Sequence, residues 1–158
     1  MKRKCKFFGC LILISSLCIS CKKDKTAEVI PPVELKTFWK FGSNRYTEHL
    51  IFKYDTVNHF MVFNDEDKTA DNTIILFSEP MEMNKTYQVV REDAAMNSNQ
   101  VKIQMIVDGQ FYYGLSMPQN VVKTQIINGK PHIFFDNVKM KLNLDSTNIT
   151  LSSARVII

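Results

Sequence analysis

Residues 101–117 read "VKIQMIVDGQFYYGLSM", and the fold class turns on how this stretch is taken. Val101, Ile103, Met105 and Val107 alternate with mostly polar residues, which is the period of a strand with one buried face. Asp108-Gly109 then breaks the run at residues that tolerate a tight turn. A second bulky set follows at Phe111, Tyr113, Leu115 and Met117. A two-residue loop would set the two apolar sets on opposite faces. A three-residue loop, Asp108 to Gln110, pairs Val107 with Phe111, Met105 with Tyr113 and Ile103 with Leu115, so the odd loop with a glycine bulge is the expected register.

Working outward, the same grammar repeats. "VVKTQIINGKPHIFF" (121–135) predicts a hairpin with a two-residue Asn128-Gly129 turn, placing Val122, Thr124 and Ile126 opposite Phe135, Ile133 and Pro131. Pro131 cannot donate to a further strand, which predicts a sheet edge near this turn. Other β-branched and aromatic runs are "KTFWKF", "YTEHLIFKY", "HFMVF", "TIILFS", "TYQVV" and "ITLSSARVII". Between them stand turn-rich pieces such as "DTVN", "NDEDKTADN", "EPMEMNK" and "NLDST". No stretch of ten or more keeps a helical period. The expectation is an all-β domain over 33–158, an antiparallel β-sandwich of about 8 to 10 short strands, with a small β-barrel as the alternative.

The front of the chain is different in kind. "MKRKCK" is positively charged and the run from Phe7 to Ile19 is apolar apart from Ser15 and Ser16. Thirteen residues fall short of the roughly 20 needed to cross a bilayer, so residues 1–20 read as a removable signal. All four cysteines (Cys5, Cys10, Cys18, Cys21) lie at or before position 21. Once residues 1–20 are removed, Cys21 has no intramolecular partner, so a disulfide does not account for it. Leu17 to Cys21, "LCISC", resembles the lipobox of bacterial lipoprotein signals, with Cys18 where leucine is commonest. That resemblance implies a lipidated Cys21 as the first mature residue. Residues 22–32, "KKDKTAEVIPP", are polar and end in a proline pair, which reads as a tether.

Charge follows the signal. The chain has 20 Lys plus Arg against 16 Asp plus Glu, and Lys2, Arg3, Lys4 and Lys6 leave with the signal, so the mature balance is 16 against 16. No basic excess is left to displace counterions, and nucleic acid is not an expected partner.

"FWKFGSNRYT", "ILFSEPMEMNKTYQVV", "INGKPHIFFDNVKMKL" and "NITLSSARVII", taken in order behind the lipobox, look like the small outer-membrane lipoproteins of Bacteroidota-type Gram-negative bacteria. That resemblance implies one β-domain held at the outer membrane by its lipid. Lys22 lacks the aspartate that retains some lipoproteins in the inner membrane. Lys22, Lys23 and Lys25 around Asp24 differ from the acid-rich surface-export signals of that group, which favours the periplasm-facing leaflet over surface exposure.

Candidate chemistry is sparse. Asp65, Asp67, Thr69 and Asp71 stand two apart in "NDEDKTADN", a spacing that lets a curled loop aim oxygens at Ca²⁺, although the glycine and closing glutamate of an EF-hand are missing. His49, His59 and His132 have no zinc-ligand spacing. Met81 and Met83 offer thioethers to Cu(I), and turn packing explains them as well. No nucleophile elbow or phosphate-cradling glycine loop is present, so no catalytic residue and no cofactor are expected. Trp39 and Tyr112 are the aromatic candidates for a ligand-stacking face, Tyr112 because Tyr113 is expected to point inward beside Met105. "DTV" (55–57) and "DST" (145–147) resemble the O-glycosylation site of the same bacterial group, which would place glycan on Thr56 and Ser146. The expected function is a non-enzymatic envelope lipoprotein that binds an envelope protein or glycan or serves structurally. The alternative is a small hydrolase, or a hydrolase inhibitor, with an open-barrel pocket.

Overall fold

A computed structural model describes residues 35–158 apart from 44, 69 and 144–146. The signal, Cys21, the tether, Thr69 and Ser146 lie outside the described residues. Eleven strands follow in order: β1 (Phe38–Phe41), β2 (Arg45–Thr47), β3 (Leu50–Asp55), β4 (Phe60–Asp65), β5 (Asn72–Phe77), β6 (Lys85–Val89), β7 (Gln100–Val107), β8 (Gln110–Gly114), β9 (Val121–Ile127), β10 (Lys130–Leu142) and β11 (Ile149–Ile157). There is no helix among the described residues. The all-β expectation holds, with one strand more than the upper count because "YTEHLIFKY" divides where His49 N–H turns back to Thr47 Oγ1 at 3.1 Å.

The strands form one sheet in the order β2-β1-β11-β10-β9-β6-β7-β5-β4-β3, with β8 pairing to both β10 and β7. β8 thereby closes a five-membered ring, β10-β9-β6-β7-β8. A ring with an odd number of strands cannot alternate direction throughout, so one neighbouring pair must be parallel. That pair is β6 and β7, joined through Gln88 and Gln100 and through Val89 and Val101. This corrects the expectation of a purely antiparallel sheet. The wings β11-β1-β2 and β5-β4-β3 bury their inner faces in the same core as the ring: Trp39, Phe41, Met61 and Phe63 pack with Val101, Ile103, Met105 and Phe135.

β10 makes the closure feasible. Its first half pairs with β9 and its second half with β8, while β11 runs along both. A bulge between Phe135 and Val138 bends it, with Asn137 at φ 49° and its N–H on Ser153 Oγ at 2.8 Å. The inserted residue also keeps Ile133, Phe135, Val138 and Met140 on the buried side, which an unbroken strand could not do.

The β7–β8 register is the second correction. Met105 pairs with Tyr112, Ile106 with Phe111 and Val107 with Gln110, so the loop has two residues, not three. Asp108 and Gly109 both take positive φ (50° and 74°), the signature of a type I′ turn. The inward positions of β8 are therefore Tyr112 and Gly114, while Phe111 is exposed. A bulky residue does not fit at the closure: a Cβ on Gly114 would stand 2.6 Å from Val89 Cγ1. Gly114→Ala is expected to destabilise the domain by about 1–3 kcal/mol, read by thermal denaturation. The cost should shrink in a Val89→Ala background; an equal cost in both backgrounds would place the effect elsewhere.

The β9–β10 hairpin has the expected register, Ile126 opposite Pro131 and Thr124 opposite Ile133. It lies inside the sheet, between β6 and β11, not at an edge. Its turn projects past both neighbours: Ile126 N–H goes to the side chain of Asn84 at 3.1 Å, and the β11 ladder ends at Ile157 beside His132. Pro131 is tolerated because its C=O still accepts Ile158 N–H at 2.9 Å and only the reciprocal bond at that end of the ladder is forgone.

Candidate functional site

The turn at Gly42 (φ 60°) returns the chain from β1 into β2 and delivers Arg45 to one end of the sheet. Its guanidinium is ion-paired with the buried carboxylate of Asp71 and lies 2.9 Å from Asp108 Oδ1. Asp71 also accepts the Asp108 N–H on Oδ1 at 2.8 Å. One buried pair thus ties β2, the loop before β5 and the β7–β8 turn together. Arg suits the role because its planar fork can serve two carboxylates at once.

Above this cluster opens a cleft of about 360 Å³, whose walls include Phe41, Arg45, Asp108, Gln110, Tyr112 and Thr150. The Tyr112 ring meets Phe41 edge-on, centroids 4.7 Å apart, and its hydroxyl reaches Gln110 Oε1 at 3.1 Å. Ser43 and Thr150 add hydroxyls at the rim. The cleft presents part of one aromatic ring, a ring of neutral hydrogen-bonding groups and a compensated charge pair. None of the three histidines lines it. No protein-family model, curated protein or solved structure matches the chain.

The residues singled out from sequence are placed as follows. Asp65 spends its side chain on its own loop, accepting Asp67 N–H at 3.0 Å, while Asp71 turns away to Arg45 and Asp67 is exposed. Among the described residues no group of three or more His, Cys, Asp and Glu gathers. His49 is exposed, His59 half-buried at the β3–β4 turn and His132 buried in β10. Met81 packs on the core and donates its N–H to Tyr54 Oη at 2.9 Å; Met83 is half-buried. Thr56 sits in an exposed turn held by Asp55, whose Oδ1 accepts from Asn58 and Val57 N–H at 2.9 Å each. The Asn58 backbone bond, with its side-chain bond, holds that carboxyl below the ordinary range.

Two aromatic expectations are corrected. Trp39 is wholly buried, its indole N–H pointing to Ser152 Oγ at 3.3 Å, so it stacks on no ligand. Tyr112 faces the core side and Tyr113 the outside, the inversion that a one-residue change of register imposes. Tyr112 still reaches the cleft, through its hydroxyl end. The most exposed aromatic is Tyr46, at 59%, stacked on Phe38. Sequence reading missed Arg45 and Asp108 as partners, since nothing local links residues 63 apart; the Asp108-Gly109 pair was the signal for a two-residue turn.

His132 gives the fold a pH dependence. Burial, then the nearby Arg155 and Lys130 charges, hold its imidazole below the usual value. The unfolded chain then binds more protons than the folded one under mildly acid conditions. Stability is expected to be full above about pH 6.5 and to fall as the pH drops below it. Denaturant melts of wild type and His132→Gln between neutral and acid pH check this, and an identical slope in both would exclude His132 as the source.

Proposed function

We propose that this chain is a non-enzymatic lipoprotein of the cell envelope, anchored at the outer membrane through lipid on Cys21 and facing the periplasm, whose β-domain binds a neutral polyhydroxylated ligand such as an envelope glycan. The observation that carries the ligand reading is the cleft over Arg45. Hydroxyl, amide and carboxylate groups at its rim can satisfy a sugar's alternating donors and acceptors, and the half-buried Tyr112 ring, backed by Phe41, offers the apolar patch that a sugar face requires. Arg45 is already matched by Asp71 and Asp108, which leave the cluster one net negative charge, so an anionic ligand gains nothing there.

The test is calorimetric titration of the domain with a neutral disaccharide of N-acetylglucosamine and with neutral outer-membrane polysaccharide. Saturable binding is expected, weakened about three- to tenfold by Gln110→Ala, the range for losing one net hydrogen bond. Absence of binding to both would remove the ligand reading. Release of new reducing ends during incubation would overturn the non-enzymatic assignment and favour a hydrolase.

A further inference from the structure

The balance of 16 Lys plus Arg against 16 Asp plus Glu after residue 20 conceals a segregation of charge. Strands β1, β9, β10 and β11 carry Lys40, Lys123, Lys130, Lys139, Lys141 and Arg155 against a single acid, Asp136. Their alternate residues, including Trp39, Val122, Phe135, Met140 and Ala154, are buried, so strand alternation sends the cations to the outer face. Across that face one row runs Phe38, Arg155, Phe134, Lys123, an aromatic and a cation by turns. The Arg155 guanidinium lies 5.0 Å over the Phe134 ring, and Phe38 stacks with the exposed Tyr46, which pairs across from Lys40. Most of the acids stand in the other half, among them Asp55, Asp65, Asp67, Asp71, Glu92 and Asp108; at the edge of the basic face Glu48 accepts the Tyr46 hydroxyl at 2.9 Å and pairs with Lys36.

The chain also enters the domain at this face. Leu35 leads through Lys36 and Thr37 directly into β1, with Ile157 N–H on Thr37 Oγ1 at 3.3 Å. Leu35 stands fourteen positions after Cys21, a span of at most about 50 Å.

We propose that the outer face of β9-β10-β11-β1 docks on the anionic glycerophospholipid headgroups of the membrane, with its lysines over the phosphates and Tyr46 at headgroup level. Its setting rests on the lipid-anchored reading above, but the contact itself needs no acyl chain. Each basic side chain close to an anionic surface strengthens binding roughly fivefold, and salt screens it. Amphipathic aromatic rings suit the interfacial zone beside them.

The test uses residues 21–158 with Cys21→Ala, which carry the whole core and no lipid, in cosedimentation with vesicles. Binding is expected to phosphatidylcholine vesicles containing phosphatidylglycerol and not to phosphatidylcholine alone, and to be lost when salt rises from about 0.05 to about 0.5 M. Lys40→Gln/Lys123→Gln/Lys130→Gln, all exposed positions, should weaken it about 100-fold, three fivefold steps multiplied. Lys53→Gln/Lys68→Gln/Arg91→Gln removes the same charge elsewhere and should leave it nearly unchanged. No binding to the anionic vesicles, equal losses in the two triple variants, or tighter binding to a single-stranded oligonucleotide than to the vesicles would each overturn the proposal. Because the protein tested is unacylated, a failure here leaves the anchoring of Cys21 untouched, and a failure of anchoring leaves this result standing.

Discussion

Arg45→Ala is expected to cost about 3–5 kcal/mol of folding stability, the range for removing one partner of a buried ion pair. The cause is what remains behind. Asp71 is 3% exposed, and its carboxylate would keep only the Asp108 N–H at 2.8 Å once the guanidinium is gone. At roughly 3–5 °C per kcal/mol for a domain of this size, the melting temperature should fall by about 10–20 °C. Asp71→Ala alone leaves Arg45 better placed, because Asp108 at 2.9 Å and solvent at the cleft can take up the charge. The double variant Arg45→Met/Asp71→Leu should recover much of the loss, since a packed apolar pair of similar volume often equals or exceeds a buried ion pair. A double variant as unstable as Arg45→Ala would show that the guanidinium supports the turn at Gly42 rather than the charge on Asp71.

Replacing Cys21 with Ala should move the protein from the membrane fraction to the soluble fraction. A single acyl chain gives only marginal membrane binding, while two or more anchor stably. The proposed basic face would retain some unacylated protein on anionic membranes at low salt. A wash at about 1 M salt, where screening acts within roughly 3 Å, removes that contribution. After such a wash the wild type should remain with the membrane and Cys21→Ala should not. Intact mass of the native protein gives the same answer independently: it should begin at Cys21 and carry fatty chains. Retention of the variant after the wash, or a native mass without acyl groups, would sink the lipoprotein reading.

Both predictions involve residues whose partners differ in reach, and this decides how legible they were. The role proposed for Cys21 rests on local sequence alone, five consecutive residues behind an apolar run. Arg45, Asp71 and Asp108 come from β2, the loop before β5 and the β7–β8 turn, and each reads alone as an ordinary polar residue. The acidic spacing in "NDEDKTADN" suggested a cation site, whereas the fold supplies a guanidinium from β2 to Asp71. The Asn128-Gly129 hairpin was readable because its turn and its side-chain pattern agree. At Asp108-Gly109 they conflict: the turn prefers two residues, while matching bulk across the strands asks for three. The turn prevails because Phe111 and Tyr113 can remain on the outside, whereas a side chain at Gly114 would strike Val89.

By itself, then, the chain's order of residues determined the all-β class and most of the strands, though not the division of "YTEHLIFKY" or the end of β8, for these depend on composition and period within a dozen residues. Only the tertiary structure decided the ring closed by β8, the parallel contact of β6 with β7, the burial of Trp39, the Arg45–Asp71 pair and the gathering of cations on one face. Alternation assigns each side chain to one of two faces; which face is filled, and by what, is set by strands that arrive from far along the chain.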